Sequence, residues 1–509
     1  MIPLLTGTLS YLLAGILSMT YPRYRFWFSL LGWFGALVGL TRSVLFYYSN
    51  GALITALGKW GGLGIEIKLD QTTILFAALV VFLNLFTLWY LGEGKDRTYY
   101  ILYNFLFATS FSLAFSNDLF NIYVSIELLS LISILLIGYE RKAYQIYAGI
   151  KYLVISSLAM SLYLIGLGLV YKAGGHLGID RLAGGLSDTL SPGIYIGLGL
   201  MVTGLAVKGG VILFSMWLPD AHCYAGTVVS ALLSGMAIKA GLVGIIRISA
   251  LATLNNVLLG LGVLTGIVAA GFAVVSSRPK RTLAFSSISQ VGYVLIAIGL
   301  GTPAGVLAAS LHVFFHGLFK GLLFLSVGHA KVGGKNTCRD EISSVPLSSK
   351  LGLIVGSLSI MAIPPFNAYF SKTLIIEEVG HGWVWWAIMA IGFGTVVYFL
   401  ELNRALLFGT VTENFSSRDL PLIGFTIAVA LSAVAGCVVL GGEEMLALMM
   451  IPRHLIVTFA LIPAGGLLFL AIWKKVQKVE PPAFPFNMDN AMISVFTGFL
   501  FVVLSLFLV

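Results

Sequence analysis

Between Ala308 and Ala330 the chain reads AASLHVFFHGLFKGLLFLSVGHA, an apolar stretch in which His312, His316 and Lys320 stand four residues apart. On a helix, positions i, i+4 and i+8 drift only about 40° around the axis and span about 12 Å along it. The three groups therefore form a stripe of proton-exchanging side chains on one face. A single buried histidine is ordinarily held by a hydrogen bond to a neighbouring helix. Three proton-binding groups in register point instead to ion transfer along that face. Gly317 and Gly321 beside them let water or another helix approach closely.

Further charges stand in equally apolar surroundings. They are Glu127 in FNIYVSIELLSLISILL, Lys208 in GLAVKGGVILFSMWLPDAH, Lys239 in SGMAIKAGLVGIIR and Lys372 in IPPFNAYFSK. An ionised side chain at the centre of a membrane helix costs about 2.5–3.5 kcal/mol on insertion scales. Such groups must pair, hydrate or titrate, and a chain that accumulates them moves ions. Glu127 needs a cationic partner, and a lysine on another helix is the natural candidate. Lys372 has an alternative reading as an interfacial lysine that snorkels to the headgroups. Glu401 in YFLELNRALLF is expected to pair simply with Arg404 at i+3, and Lys151 and Lys239 also admit structural roles.

The elements that must position these groups follow from composition. The chain has 509 residues, of which 58% are hydrophobic and only 10% charged, against about 25% charged in a soluble domain. Apolar runs of about twenty residues fit helices crossing a hydrocarbon core, and short alternating segments typical of a β-barrel are missing from the pattern. The expected fold is an all-α polytopic membrane protein of about 14–16 transmembrane helices. Its spans include 192–217, 225–250, 282–300, 303–331, 347–379, 452–473 and 489–508. The first apolar run has no basic leader and no small-residue cleavage site, and is read as a retained helix. Polar connections are expected around 50–70, 172–190, 331–350 and 474–488.

Loop charges set the orientation. Arg23 and Arg25, Arg141 and Lys142, Arg278, Lys280 and Arg281, Lys331, Lys335 and Arg339, and Lys474, Lys475 and Lys478 form one set. The alternate set carries Asp118, Glu377, Glu378, Glu443 and Glu444. The positive-inside rule puts the first set in the cytoplasm, and an even helix count then turns both termini outward. The net charge of +9 is explained by this topology, with no need for nucleic acid. Cys223, Cys338 and Cys437 lack metal or disulfide spacing, and neither GxGxxG after a strand nor a P-loop appears. Redox chemistry, if it drives this chain, belongs to another.

Two spans carry interruptions. Gly209 and Gly210 follow Lys208 directly, and Pro364 and Pro365 precede Lys372. Broken helices at membrane depth line protein cavities or water, and a pair of them in separate halves is a mark of inverted repeats around a transport path.

These segments resemble a family: the antiporter-like subunits shared by respiratory complex I, membrane-bound hydrogenases and Mrp-type cation/proton antiporters. The resemblance runs from about 60 to 410. VSIELLSLISILLIGY is similar to the fifth-helix glutamate motif. MWLPDAHCYAGTVVSALLSGMAIKAGLVGIIR and the residues before it resemble the block holding the seventh- and eighth-helix lysines. RPKRTLAFSSISQVGY resembles the entry to the tenth helix, HVFFHGLFKGLLFLSVG the eleventh-helix pattern HxxxHxxxK, and IPPFNAYFSK the twelfth-helix lysine segment. The resemblance implies proton-translocation roles for Glu127, Lys208, Lys239, His312, His316, Lys320 and Lys372, arranged as a mid-membrane row. It implies two inverted five-helix repeats, each with a discontinuous helix, the seventh and the twelfth. The corresponding division is helices 1–3 over 1–97, repeats over 98–250 and 251–410, and C-terminal helices over 411–509. The sequence departs from the pattern at Leu213, where relatives carry proline, at Ser215, where a histidine is common, and at Gly226, which replaces the first proline of APTPV. The broken seventh helix must then rest on Gly209–Gly210.

The function implied is a proton- or sodium-translocating membrane subunit of a redox-driven complex in the cell membrane. No cofactor is expected on this chain. Iron–sulfur clusters and NiFe chemistry are expected on partner subunits, which include further membrane subunits and a peripheral redox arm. The alternatives are a D-type subunit of a multi-subunit Mrp Na⁺/H⁺ antiporter, or a membrane scaffold that no longer conducts. No compact carboxylate and carbonyl cluster suggests a sodium site.

Overall fold

Asp70, Asp96 and Asp118 each begin a helix by accepting the backbone N–H three residues on, from Thr73, Tyr99 and Asn121 at 2.8, 3.1 and 2.8 Å. This side-chain cap satisfies one of the donors that a helix start leaves open. The computed structural model describes residues 2–58, 64–185, 191–215, 217–252, 254–276, 278–332, 342–407, 410–412, 415–434, 463–468 and 497–500, with a few single residues beside the last two. The chain is an all-α polytopic membrane protein. Among the described residues ten helices are long and apolar enough to cross a membrane, and shorter apolar helices accompany them. The expected spans 452–473 and 489–508 lie mostly outside the described residues.

The helices are α1 Ile2–Thr20, α2 Arg25–Asn50, α3 Gln71–Leu91, α4 Arg97–Phe115, α5 Leu119–Ile137, α6 Ala143–Gly174, α7 Ile179–Gly185, α8 Pro192–Gly209 and α9 Leu218–Tyr224. They continue as α10 Thr227–Leu232, α11 Ile238–Ile248, α12 Asn255–Val275, α13 Pro279–Gly299, α14 Pro303–His329, α15 Leu347–Ile360, α16 Asn367–Val379, α17 Trp383–Leu407 and α18 Asp419–Leu431. A π-turn over Leu233–Ala237 joins α10 to α11. The segment expected as a polar connection at 50–70 is instead an antiparallel hairpin, β1 Leu53–Leu57 paired with β2 Ile65–Leu69. Its alternation of Ile65, Ile67 and Leu69 with Glu66 and Lys68 is the two-residue period of a strand.

The described residues group into two compact units. The first draws on Met1–Trp217, Met236–Val257 and Phe486–Val509, and the second on Leu218–Gly235 and Leu258–Pro485. In the first unit charged residues tie the loops together at each end. Arg25 donates to the carbonyls of Lys95 and Glu93 at 2.8 and 3.0 Å, and Lys95 lies 3.5 Å from Glu140. At the other end Glu66 meets Asn117 and Arg181, and Lys68 pairs with Asp180 at 3.0 Å.

The hairpin end is tied to the helices by a contact that sequence patterning did not single out. Arg247, at the end of α11, holds Asp70 through both guanidinium nitrogens, at 2.5 and 3.1 Å, and also donates to Thr73 Oγ1 at 2.7 Å. Burial works against the Asp70 carboxylate, but the Arg247 charge and hydrogen bonds and those of Thr73 outweigh it, lowering its pKa from 3.8 to about 2. Its contribution to stability is therefore complete above pH 4 and is lost as the pH falls toward 2. Arg247→Ala should cost about 3 kcal/mol, because it strands a largely buried carboxylate. Thermal unfolding in detergent should show a lowered Tm at pH 7 and a smaller further loss on acidification than the unaltered chain.

Candidate functional site

Both interrupted helices end in the same backbone motif. At the end of α8, Gly210 adopts a left-handed conformation at φ 75°. Val211 N–H then reaches the Ala206 carbonyl at 3.0 Å and Gly210 N–H the Val207 carbonyl at 3.4 Å. These are the two bonds of a Schellman ending. The Trp217 indole adds a third, donating to the Val207 carbonyl at 3.1 Å. At the end of α15, Ala362 takes the left-handed role at φ 58°. Ile363 N–H bonds Leu358 O at 3.1 Å and Ala362 N–H bonds Ser359 O at 3.0 Å. A cis Pro364–Pro365 bond follows before α16 begins.

The interruption in 192–217 thus falls where the two glycines put it, and no proline is required. Leu213 lies in a short 3-10 turn over Ile212–Phe214, and the span read as one helix to 217 is helical only to Gly209. Gly226 precedes α10 with φ −57°, the angle a proline would impose. The span 347–379 is broken as the paired prolines suggested, into α15 and α16.

Each break places a lysine against the negative pole of a half-helix. Lys208 is in the last turn of α8, and Lys372 reaches back from α16 to donate to the Ile360 carbonyl at 2.7 Å. Unpaired carbonyls at a helix end carry partial negative charge and hold a cation. The Lys208 ammonium is 2% exposed. It donates to Ser130 Oγ at 2.6 Å and to Ser156 Oγ. Glu127 Oε2 lies 3.8 Å away. The Tyr152 ring, 5.7 Å from Nζ, is stacked on Trp217 at 3.9 Å. So α5, α6 and α8 converge on one ammonium, with the carboxylate at the limit of ion-pair range. Lys239 is fully buried on α11, which packs against α8.

In the second unit His312, His316 and Lys320 are all fully buried on α14. The two imidazoles face each other at 5.8 Å between centroids. His312 Nδ1 is 3.0 Å from Ser371 Oγ, the residue before Lys372. Tyr293 on α13 lies between these groups, its ring 5.7 Å from His312 and 4.5 Å from the Lys372 ammonium. Lys320 turns toward α13, donating to the Leu283 carbonyl at 3.1 Å and to Ser286 Oγ. The stripe read from spacing is therefore a histidine pair continuing into Lys372, with Lys320 bonded to a different helix. Glu401 pairs with Arg404 at 3.9 Å, as the i+3 spacing suggested.

Sequence reasoning did not single out the hydroxyls that hold these groups. Ser130, Ser156, Ser286, Ser371 and Tyr293 carry no charge to mark them in an apolar run. Helical spacing offered a signal for two: Ser130 is one turn after Glu127, and Ser371 adjoins Lys372.

The family described as NADH:quinone oxidoreductase/Mrp antiporter, transmembrane, matches residues 116–398. The chain is 30% identical over 385 residues to the N-type subunit of NADH-quinone oxidoreductase from Desulforudis audaxviator, covering 71% of this chain and 74% of that one. It is 26% identical over 348 residues to the D-type subunit of a Na(+)/H(+) antiporter from Alkalihalophilus pseudofirmus, covering 65% and 70%. Among solved structures, a chain of the membrane-bound sulfane sulfur reductase, an archaeal respiratory membrane complex, superposes with a TM-score of 0.78 at 22% identity. The match covers 91% of this chain and 98% of that one, and shows a common fold.

Proposed function

The chain belongs to the NADH:quinone oxidoreductase/Mrp antiporter transmembrane family, and from that premise we propose that it is the proton- or sodium-translocating membrane subunit of a redox-driven respiratory complex. The observation that carries this reading is the buried Lys208 ammonium with Glu127 at 3.8 Å. At an effective dielectric of 20, two unit charges at that distance interact by about 4 kcal/mol, and doubling the gap halves the figure. Moving one charge across 100 mV is worth about 2.3 kcal/mol. A displacement of Glu127 to about twice its present distance thus changes the interaction by about 2 kcal/mol, comparable to the work of moving a charge across the membrane potential.

In this scheme the working groups are Glu127, Lys208 and Lys239 in one half and His312, His316, Lys320 and Lys372 in the other. The halves correspond to inverted repeats over 98–250 and 251–410, flanked by 1–97 and 411–509. Ser130 and Ser156 position the Lys208 ammonium, and Ser371 orients His312. The movement is driven by electron transfer in partner subunits that carry iron–sulfur clusters and NiFe chemistry in a peripheral arm. This chain works beside other membrane subunits in the cell membrane, with its basic loops in the cytoplasm.

Purification of an affinity-tagged chain from its native membranes tests the reading. A peripheral cluster-bearing arm should co-purify, and the complex in vesicles should pump protons when given an electron donor. Recovery of membrane subunits alone, with Na⁺/H⁺ exchange driven only by a pH gradient, would favour the Mrp D-type alternative.

A further inference from the structure

The second unit contains a run of hydroxyls of which the row of charges uses only Ser286, at Lys320. Ser286 and Ser287 are adjacent on α13 and fully buried. Ser286 Oγ accepts from the Lys320 ammonium. Ser287 Oγ lies 2.8 Å from Ser234 Oγ, in the π-turn. One helical turn before Ser234, Ser230 Oγ accepts from Lys280 Nζ at 3.2 Å. Lys280 also donates to the Ala225 carbonyl at 2.8 Å, and it is partly exposed near the start of α13, within the Arg278–Arg281 basic loop. Ser286 is six residues beyond Lys280, about 9 Å along the helix.

A serine in an apolar helix ordinarily bonds a carbonyl of the preceding turn and does no more. Ser286 and Ser287 both donate to Leu283 O at 2.9 Å, and Ser230 reaches Gly226 O at 3.1 Å. Each therefore has its own-helix partner already. The contacts to Lys320, Ser234 and Lys280 are additional and run between helices, as three separate pairs of which the first and last engage a cation. The π-turn that carries Ser234 is a kind of helix irregularity often found at functional positions.

We propose that Ser230, Ser234, Ser287 and Ser286 form a hydroxyl relay that carries protons between Lys280 at the basic end of this unit and the buried Lys320. The inference rests on Lys320 being a transport lysine. Each oxygen takes up one proton and passes on its own, so the Lys280 ammonium loses a proton that solvent replaces and the Lys320 amine gains one. Two steps of the relay have no direct hydrogen bond: Ser230 to Ser234, about 6 Å apart along the helix, would need one bridging water, and Ser287 to Ser286 would need the two hydroxyls to turn from the Leu283 carbonyl they share.

The test is proton uptake by vesicles holding the intact complex, driven by a potassium diffusion potential and followed with a pH-sensitive dye. Ser234→Ala with Ser287→Ala removes both members of a buried pair, which is close to neutral for stability. Assembly and Tm should be retained while uptake slows about tenfold or more and its solvent isotope effect in D₂O rises. Ser234→Thr with Ser287→Thr, which keeps both hydroxyls, should recover uptake, and Lys280→Met should slow it. Wild-type uptake in the double alanine variant, with Lys320→Ala blocked, overturns the relay and leaves the charge row standing. Wild-type uptake in Lys320→Ala overturns the row itself. If the double alanine variant does not assemble, Lys280→Met decides: undiminished uptake there also overturns the relay.

Discussion

Lys208→Ala should bring proton translocation down to the leak of the lipid, a loss of about a hundredfold or more, while the chain still assembles with its partners. The ammonium is the point on which α5, α6 and α8 converge, with two serine hydroxyls and one carboxylate around it. Without it Glu127 has no buried cation whose proton it can hold or release. Glu127 is 25% exposed, so removing the lysine does not leave a fully sealed, uncompensated charge in the core. Lys208→Met keeps most of the volume and limits any packing loss. Both variants should co-purify with the normal partners and fail to pump. Loss of assembly in both would mark Lys208 as a structural tie between helices.

The second large effect concerns the histidine pair. His312→Ala and His316→Ala should each slow translocation by about a hundredfold, and the double variant should be scarcely slower than either. The two imidazoles face one another at 5.8 Å on successive turns of α14, and His312 reaches on to Ser371 beside Lys372. Groups that serve one path in series cannot each be lost independently. Rates of the two single variants and the double in the same vesicles give the coupling directly. Losses that multiply would show two separate routes, and full activity in the double variant would remove the pair from the mechanism.

Much of this site was legible because charge in an apolar run is costly. Glu127, Lys208, His312, His316, Lys320 and Lys372 were marked by their surroundings, and the two helix breaks by Gly209–Gly210 and Pro364–Pro365. What remained hidden was the direction in which each side chain turns. A helical stripe fixes a face, yet Lys320 is long enough to leave its stripe and bond α13. The serines were invisible because a hydroxyl is tolerated almost anywhere its own helix can accept a bond. The β1–β2 hairpin was read as a polar connection, because its five-residue strands sit among turn residues and carry a weaker signal than a membrane span. The Arg247–Asp70 tie joins residues far apart in sequence, beyond the reach of any local pattern.

The most direct measurement is a high-resolution density map of the purified complex that resolves ordered water. If the buried groups hand protons across the bilayer, water should bridge Glu127 to Lys208 and Lys239 in one unit, and Lys320 through His316 and His312 to Lys372 in the other. Side chains standing apart in dry, close-packed apolar surroundings would contradict the account.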